Sequence, residues 1–475
     1  MKILLLNPPQ VYNKGENPFV VFPLGLGYIA ALLKEKNFDV KVLDCIGEGF
    51  NIKTQIHNGY LLGLKFADIR KRIMQIKPDI ILISCLFSIQ YQLVLRLASM
   101  IKSLNKDIKI VVGGFHVSAL PEKALKNEEI DFVLMGEGEL PTIKLAEAIS
   151  KNKSFCKIRG IGYKKNNRIY INKKLDLVAD LDKLPFPALD MFPIENYLNS
   201  NYKHTLLPSK RRTIEIITSR GCPIGCSFCA SHVVSGKKWR ARSVKNIIDE
   251  IIYLKKNYDI EEIHFLDDNL LLNKKRFEQL CKELTKLGLR WTMPNGIRIS
   301  QLDKKLLALM RKSGCYALFL PIESANEKVL KNHLNKKISL AHAKSIVKNA
   351  RKQRFYLIGF FLLGFFEETK KDINNTIKFA STLNLDEAHF SIITPLPGSE
   401  YYKKHFNKID DFINFSAKKA NLETKYLKKQ EIEKLRDKAY LYFEFNKLIR
   451  RPLSYFSINQ IKRLARYLRY FIRNF

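Results

Sequence analysis

Short apolar runs alternate with amphipathic segments along most of the chain, and this alternation restricts the fold more than any other feature of the sequence. In residues 1–150, Lys2–Asn7 and Asp79–Ser84 are apolar runs that predict buried strands. Leu26–Lys34 and Gln90–Leu104 have the apolar spacing that is typical of helices. Alternation of this kind predicts a parallel, doubly wound α/β sheet.

The same alternation returns in residues 211–400. The strands predicted there are Thr213–Thr218, Glu262–Leu266, Arg290–Met293, Ala317–Ile322, Tyr356–Leu363 and His389–Thr394. Repeated strand–helix units of this number predict a partial, open form of the parallel (β/α) barrel, here (β/α)6. Residues 151–210 contain a small predicted hairpin and the sequence Pro185-Phe186-Pro187, and they are interpreted as a linker. Residues 401–475 are predicted to form a basic helical tail.

Three of the eight cysteines lie directly after the first predicted barrel strand, at positions 222, 226 and 229. The carboxyl end of a barrel strand is where catalytic groups sit. Structural zinc sites usually have four ligands, and clusters that only carry electrons usually have four cysteines. Three thiolates therefore favour an iron–sulfur cluster with one iron open to another ligand, with a zinc site as the alternative.

The C-x3-C-x2-C spacing, with the aromatic Phe228 before the last cysteine, resembles the signature of the radical S-adenosylmethionine (SAM) enzymes. The resemblance implies a [4Fe–4S] cluster held by Cys222, Cys226 and Cys229, whose open iron binds SAM. One electron from an external reductant then cleaves SAM to a 5′-deoxyadenosyl radical. In such enzymes the cofactor supplies the difficult chemistry, and the protein supplies its position and a dry site.

Further segments near the ends of the predicted barrel strands resemble the same superfamily. They are Phe265-Leu266-Asp267-Asp268-Asn269, Pro321-Ile322-Glu323-Ser324, Phe361-Leu362-Leu363-Gly364 and Trp239-Arg240-Ala241-Arg242. The resemblance implies that SAM is bound by Phe228, Asp267, Asp268, Arg242, Glu323, Ser324, Leu362 and Gly364. Helix capping is the alternative role for Asp268 and for Arg242. The stretch Phe365-Phe366-Glu367 departs from the Phe-Pro-Gly of the family.

Several N-terminal segments resemble the cobalamin-binding domain of the class B radical SAM enzymes. They are Asn7-Pro8-Pro9, Pro23-Leu24-Gly25-Leu26-Gly27-Tyr28, Ser84-Cys85-Leu86, Gly113-Gly114-Phe115-His116 and Gly136-Glu137-Gly138-Glu139. The resemblance covers about residues 1–400 and implies cobalamin contacts from Ser84, Leu86, Gly113, Gly114, His116, Gly136, Glu137 and Gly138. The loop that supplies a lower axial histidine in many cobalamin proteins is absent, as in many members of this class. A Rossmann-like domain that has lost its cofactor is the alternative.

Cobalamin together with SAM implies methyl transfer to an unactivated carbon, or to a phosphorus. In that chemistry a substrate radical takes the methyl group from methylcobalamin. A second SAM then methylates the cobalamin again. The alternatives are an oxidative cyclisation or rearrangement with the same cofactors, and modification of RNA. A small-molecule or lipid-like substrate is expected.

The chain carries 82 Lys and Arg against 46 Asp and Glu, a formal net charge of +36. Such a charge favours an anionic partner, although a solvated basic surface explains it equally well. Ile461, Leu464, Leu468 and Phe471 share one face of a predicted basic helix, which favours either peripheral membrane contact or docking on the barrel. No motif supports binding of a nucleic acid.

The apolar runs of the chain are too short for a signal peptide or a membrane span. The five remaining cysteines are scattered, which fits a reducing compartment. We therefore expect a cytoplasmic protein, with membrane association through the basic tail as an option.

Overall fold

The computed structural model describes residues 1–13, 18–57, 59–173, 175–201, 203–205, 207, 209–334, 339–406, 412 and 417–452. The strands of the N-terminal half are β1 (Lys2–Asn7), β2 (Gln10–Asn13), β3 (Asp39–Asp44), β4 (Lys53–Ile56), β5 (Gly59–Leu62), β6 (Ile80–Ser84), β7 (Lys109–Gly113), β8 (Phe132–Leu134), β9 (Ile161–Lys165) and β10 (Arg168–Asn172). Its helices are α1 (Leu24–Glu35), α2 (Cys45–Glu48), α3 (Phe66–Ile76), α4 (Tyr91–Leu104), α5 (Phe115–Ala119), α6 (Pro121–Leu125) and α7 (Glu139–Ser150). The short helix α8 (Ile194–Leu198) precedes the C-terminal half.

The larger N-terminal sheet has the strand order β10–β9–β8–β7–β6–β1–β3. The five strands β8, β7, β6, β1 and β3 run parallel to one another, which confirms the predicted parallel sheet. The hairpin β9–β10, which the sequence assigns to the linker, instead extends this sheet. Strand β9 pairs antiparallel with β8, with Ile161 opposite Leu134, so the sheet continues to Asn172. A small antiparallel sheet of β2, β5 and β4 lies outside the predicted pattern.

The strands of the C-terminal half are β11 (Thr213–Ile216), β12 (Ser219–Arg220), β13 (Arg240–Ala241), β14 (Glu262–Phe265), β15 (Arg290–Thr292), β16 (Ala317–Glu323), β17 (Tyr356–Leu363) and β18 (Glu387–Ile392). Its helices are α9 (His232–Ser235), α10 (Val244–Tyr258), α11 (Lys274–Leu287), α12 (Lys304–Lys312), α13 (Glu327–Leu334), α14 (Leu340–Lys352), α15 (Lys370–Thr382), α16 (Glu400–His405) and α17 (Lys429–Arg450).

The barrel strands form two parallel sheets, β11–β14–β15 and β16–β17–β18. A parallel bridge between Trp291 and Cys315 joins the edges of these two sheets. The strands therefore follow one another in chain order around an open curve, which confirms the predicted partial (β/α)6 barrel. A short antiparallel ribbon, β12–β13, stands directly beyond the carboxyl end of β11.

One apolar core continues from the N-terminal sheet into the barrel. It includes Ile3 and Leu134 of the N-terminal sheet together with Ile214, Phe265 and Leu320 of the barrel. A second core packs the opposite face of the N-terminal sheet against α3 and α4. Burial of apolar surface is the main favourable term in folding, so the first core holds the two halves as one packed body.

Helix α17 closes the barrel by packing against α15 and β18. The buried ammonium group of Lys447 donates to the carbonyl oxygen of Asp386 at 2.8 Å, which fixes the helix end to the barrel. The predicted amphipathic segment that carries Ile461 and Phe471 lies outside the described residues. In the part of the chain that the structure describes, no helix is long and apolar enough to cross a membrane.

Candidate active site between the sheet and the barrel

The three clustered cysteines lie on a loop whose ends are held together by the β12–β13 ribbon, in which Arg220 pairs with Arg240. Gly221 begins this loop with a φ of +85°, and a Cβ there would lie 2.3 Å from the carbonyl oxygen of Lys238. Only glycine allows both this backbone conformation and this close approach. The glycine before the first cysteine is therefore what allows the loop to close.

The thiols of Cys222, Cys226 and Cys229 are all partly exposed. Burial raises the pKa of Cys222, with a smaller contribution from the nearby charge of Asp268. Within the described ranges, no three His, Cys, Asp or Glu side chains are grouped so as to hold a single metal ion. The donor set, three thiols on one glycine-containing loop, fits a [4Fe–4S] cluster with one iron left open.

Contacts from other strand ends fix the cysteine loop. The amide of Tyr401, which follows β18, donates to the carbonyl oxygen of Ser227 at 2.8 Å. The indole of Trp239 donates to the carbonyl oxygen of Asn269 at 3.1 Å, and the amide nitrogen of Asn269 lies 4.0 Å from the sulfur of Cys222. The loop is thus supported by residues that follow β14 and β18.

The two adjacent aspartates after β14 have different environments. Asp267 is buried and accepts hydrogen bonds from Thr218 N, Thr218 Oγ1 and Ser219 Oγ at 3.1, 2.7 and 2.5 Å. Its carboxylate therefore braces β11 and the start of the ribbon instead of standing open to a ligand. Asp268 lines a cavity, and desolvation together with the charge of Asp267 raises its pKa to about 6.

Arg242 also differs from the predicted role of a SAM ligand. Its guanidinium forms a buried ion pair with Glu250 and donates to Asn246 Oδ1 at 2.6 Å and to the carbonyl oxygen of Ile217 at 3.1 Å. Its third nitrogen, Nη2, donates to the carbonyl oxygen of Asn246. All three nitrogen atoms of the guanidinium are therefore bonded within the barrel wall. The structure therefore gives Arg242 a bracing role.

Glu323 ends β16 and Ser324 follows it, at the same edge of the barrel as the cysteine loop. Glu323 is buried and has a φ of +70°, which is unusual for a residue with a side chain. Strain of this kind costs of the order of 1–3 kcal/mol and is concentrated at functional sites. The hydroxyl of Ser324 is 3.2 Å from that of Thr376 and accepts from Asn326 N at 3.0 Å, so it shapes the turn after β16.

Phe228 and Leu362 border one small apolar cluster, which also contains Phe365 and Tyr401. The aromatic residue of the cysteine loop and a residue near the end of β17 thus pack against the same cluster. The space beside Gly364 is instead taken by α17, because a Cβ there would lie 3.1 Å from Ile432. This packing leaves Gly364 little room to contact an adenine.

Glu368 is a buried residue of this turn that the sequence interpretation did not single out. Its carboxylate accepts from the amides of Gly364 and Phe365 at 2.8 and 3.0 Å. Desolvation raises its pKa to about 8, and the two amide bonds oppose that shift. The signal in the sequence was an acidic residue directly after Phe365-Phe366-Glu367, and its two bonds tie this residue to the start of the turn.

A cavity of about 420 Å³ lies where the N-terminal sheet faces the barrel. Of the predicted cobalamin contacts, those that line it are Ser84, Leu86, Gly113, Gly114, Gly136, Glu137 and Gly138. From the barrel side it is lined by Ser219, Arg220, Val234, Ser235, Leu266, Asp268 and Asn295. Glycine backbone at adjacent strand ends leaves room for a large flat ligand, which fits a corrin at this edge of a parallel sheet.

His116 is the predicted cobalamin contact that does not line this cavity. Its ring is buried against Tyr91, with 4.2 Å between the ring centroids, and Nδ1 is 2.9 Å from the hydroxyl of Ser88. Desolvation, with the charge of Lys123, lowers its pKa to about 4. The histidine is therefore a neutral core residue under the loop after β7.

The carboxylate of Glu137 is not directed to a ligand either. Arg240 donates to its two oxygens at 2.9 and 2.6 Å, and the neighbouring Glu139 accepts from Arg220 at 2.7 Å. These ion pairs join the two halves of the chain. Glu139, Arg220 and Arg240 were not predicted as site residues, and the one signal for them was an arginine immediately before the cysteine loop and another immediately after it.

Two family models match separate parts of the chain. The B12 binding domain matches residues 14–146, and the radical SAM superfamily matches residues 216–380. An uncharacterised methyltransferase of Pyrococcus horikoshii is 32% identical, over 93% of this chain and 92% of the relative. Cytidylyl-2-hydroxyethylphosphonate methyltransferase of Streptomyces wedmorensis is 30% identical, over 85% of this chain and 81% of the relative.

A solved structure has the same arrangement of domains. It is that of the radical S-adenosylmethionine methyltransferase TsrM from Kitasatospora setae with cobalamin and a [4Fe–4S] cluster bound. Its TM-score is 0.65 at 18% identity, covering 84% of this chain and 73% of that chain. At this level of identity the likeness is one of fold.

Proposed function

The chain belongs to the family of cobalamin-binding radical SAM enzymes, and we propose that it is a methyltransferase that acts on an unactivated carbon, or on a phosphorus, of a small molecule. When bound, the cluster and SAM supply a 5′-deoxyadenosyl radical, and cobalamin supplies the methyl group. An external reductant supplies the electrons. Two SAM molecules are then used for each product, one leaving as 5′-deoxyadenosine and one as S-adenosylhomocysteine.

The observation that carries this proposal is the shared cavity. Its walls come from glycine-rich strand ends of the B12-binding half, and from Ser219 and Arg220 before the cysteines and Val234 and Ser235 after them. A radical generated beside the cysteine loop would therefore arise next to the corrinoid, in a space closed on both sides by protein. Such proximity favours transfer between bound groups over reaction with water.

Within this site, three cysteines hold the cluster and Asp268 accepts a hydrogen bond from the ammonium of SAM. Asp268 suits this task because it faces the cavity, whereas Asp267 is fully engaged by Thr218 and Ser219. Phe228 and Leu362 contribute an apolar wall. Glu323, at the end of β16, is proposed to contact the ribose or amino group of SAM.

The Streptomyces relative is named for methylation of a cytidylyl phosphonate. We propose that the acceptor here is likewise a small molecule rather than RNA. An enzyme that cyclises or rearranges its substrate with the same cofactors would consume SAM only to 5′-deoxyadenosine. Formation of S-adenosylhomocysteine therefore distinguishes methyl transfer from cyclisation or rearrangement.

The test is anaerobic reconstitution with iron, sulfide and cobalamin, followed by assay with SAM, titanium(III) citrate and cytidylyl-2-hydroxyethylphosphonate as the acceptor probe. We expect 5′-deoxyadenosine that depends on all three cysteines, and S-adenosylhomocysteine that depends on added cobalamin. The Cys226→Ala variant should lose at least 90% of the 5′-deoxyadenosine, whereas Cys156→Ala, an exposed cysteine outside the loop, should retain it.

Formation of 5′-deoxyadenosine without any cobalamin-dependent S-adenosylhomocysteine would overturn methyl transfer and leave cyclisation or rearrangement. Bound zinc in place of iron, or unchanged 5′-deoxyadenosine in Cys226→Ala, would overturn the radical mechanism as a whole.

A further inference from the structure

Four buried charged side chains meet where the B12-binding half touches the barrel. Arg240 binds Glu137 through two hydrogen bonds of 2.9 and 2.6 Å, and Arg220 binds Glu139 at 2.7 Å. A further contact of 3.5 Å joins Arg220 to Glu137. The side chains are 10% exposed or less, so the pairs are shielded from water and salt.

Glu137 lies in the turn between β8 and α7 and Glu139 begins α7, whereas each guanidinium comes from the β12–β13 ribbon. The turn lines the cavity through Gly136 and Gly138. The ribbon carries the cysteine loop, since Arg220 precedes Gly221 and Cys222 directly and stands opposite Arg240. The ion pairs therefore join the wall of the corrinoid cavity to the base of the cluster loop.

Additional bonds restrict the direction of these side chains. Arg240 also donates to the carbonyl oxygens of Ser235 and Val178, at 2.8 and 2.5 Å. The amide of Val178 returns a hydrogen bond of 2.8 Å to Glu137. Arg220 lies over the ring of Tyr28 at 5.2 Å. Arginine forms such bidentate bonds in a fixed plane, so these contacts set an angle as well as a distance.

Stability alone does not explain why charges are used here. The two halves already share an apolar core, and a buried ion pair is often no more stabilising than apolar residues of similar volume. What a bidentate pair adds to an apolar contact is a unique orientation. Orientation between the corrinoid wall and the cluster loop is what a reaction with two separate cofactors requires.

We propose that Glu137, Glu139, Arg220 and Arg240 form a latch of positioning residues, which holds the cluster loop against the corrinoid turn so that radical formation is coupled to methyl transfer. This inference rests on the proposed function. Glu137, Glu139 and Arg220 also line the corrinoid cavity, so the latch is part of the wall that it positions. Its loss misaligns the two cofactors, so that 5′-deoxyadenosine forms without transfer of a methyl group.

The test compares Glu137→Gln and Glu139→Gln with Glu250→Gln. Glu250 is the matched control because it forms an equally buried pair with Arg242, so that both partners of its pair belong to the barrel. Each substitution keeps the size of the side chain and removes one charge. All three variants are expected to lose stability by the breaking of a buried pair.

The first readout is the ratio of 5′-deoxyadenosine to S-adenosylhomocysteine, measured with SAM, titanium(III) citrate and the cytidylyl phosphonate probe. We expect the ratio to be about one in the wild type and in Glu250→Gln. In the two latch variants it should rise at least tenfold at unchanged iron content, and the comparison is made at equal bound cobalamin because Glu137 and Glu139 line the cavity. An Arg220→Gln, Glu139→Gln double variant should be no worse than either single variant, because both remove the same pair.

The second readout needs no cofactor. Hydrogen–deuterium exchange of the apo protein should accelerate at residues 136–139 and 219–241 together in the latch variants, and at neither segment in Glu250→Gln. If hydrogen–deuterium exchange accelerates but the ratio of 5′-deoxyadenosine to S-adenosylhomocysteine is unchanged, the latch is only a structural contact. That result would overturn the proposal. If the wild type makes no S-adenosylhomocysteine, the methyltransferase proposal fails, and the exchange experiment still decides whether the two segments are mechanically joined.

Discussion

At the scale of single residues, several buried acids of this protein act as braces, whereas Asp268 is exposed and lines the cavity. Asp267, Glu250 and Glu368 are each engaged by neighbouring donors. Asp268 instead lines the cavity, and the neighbouring charge of Asp267 contributes to its raised pKa. A carboxyl group placed in this way is suited to bind a cation and to respond to pH.

The pKa of Asp268, raised to about 6, leads to a prediction for SAM binding. An ionised carboxylate binds an ammonium group much more strongly than a protonated carboxyl group does, so the affinity should be highest above this pKa and should fall as the pH drops through it. We expect the Kd of SAM to rise about tenfold per pH unit below 6, and Asp268→Asn to bind weakly at every pH. Anaerobic equilibrium dialysis between pH 5 and 8 measures both.

Asp249→Asn serves as the control, because Asp249 is an exposed residue of α10 paired with Lys245. Its pH profile should match that of the wild type. A profile for Asp268→Asn that also matches the wild type would exclude Asp268 as the group that binds SAM.

At the scale of elements, the cysteine loop depends on a ribbon of two residues on each side. Gly221 allows that ribbon to close, since a Cβ would lie 2.3 Å from the backbone oxygen of Lys238. Gly221→Ala must therefore shift the backbone next to Cys222. We expect the reconstituted iron content to fall by more than half, as measured by iron analysis and by the absorbance of the cluster.

Gly288→Ala is the matched control for this change. Gly288 also has a positive φ, of +66°, but a Cβ there would meet nothing within 4 Å. The Gly288→Ala variant has the same unfavourable backbone conformation but no steric clash of the new Cβ. It should therefore retain full iron content. Equal iron content in the two variants would show that close approach at Gly221 is not required for cluster assembly.

At the scale of the whole molecule, the apolar core and the four-charge latch make the two halves one unit. Ile3 and Leu134 of the N-terminal sheet belong to the same core as Ile214 and Phe265 of the barrel. We therefore expect calorimetry of the apo protein to show one unfolding transition. A fragment of residues 1–173 should expose this core and bind a hydrophobic dye such as ANS.

Two well separated transitions, together with a fragment that binds no dye, would contradict this view of the interface. The intact chain is the reference for ANS binding, because in it the barrel covers the apolar core of the N-terminal sheet.

The sequence by itself determined the features that depend on local spacing. The alternation of strands and helices indicated the parallel N-terminal sheet and the parallel barrel, and the spacing of three cysteines after a strand indicated the cluster loop. The glycine-rich strand ends indicated the cavity, since seven of the eight predicted cobalamin contacts line it. Such features follow from periodicities of the backbone and from residues only a few positions apart.

Only the tertiary structure decided which polar groups remain open to ligands. Glu137 is engaged by Arg240, 103 positions away, and Asp267 by Thr218, 49 positions away. His116 is enclosed by the ring of Tyr91, and the hairpin β9–β10 joins the sheet instead of the linker. A hydrogen bond depends on the distance between two groups in space and not along the chain. The partner of a charged group or an edge strand is therefore set by the tertiary fold, and a local sequence pattern does not identify it.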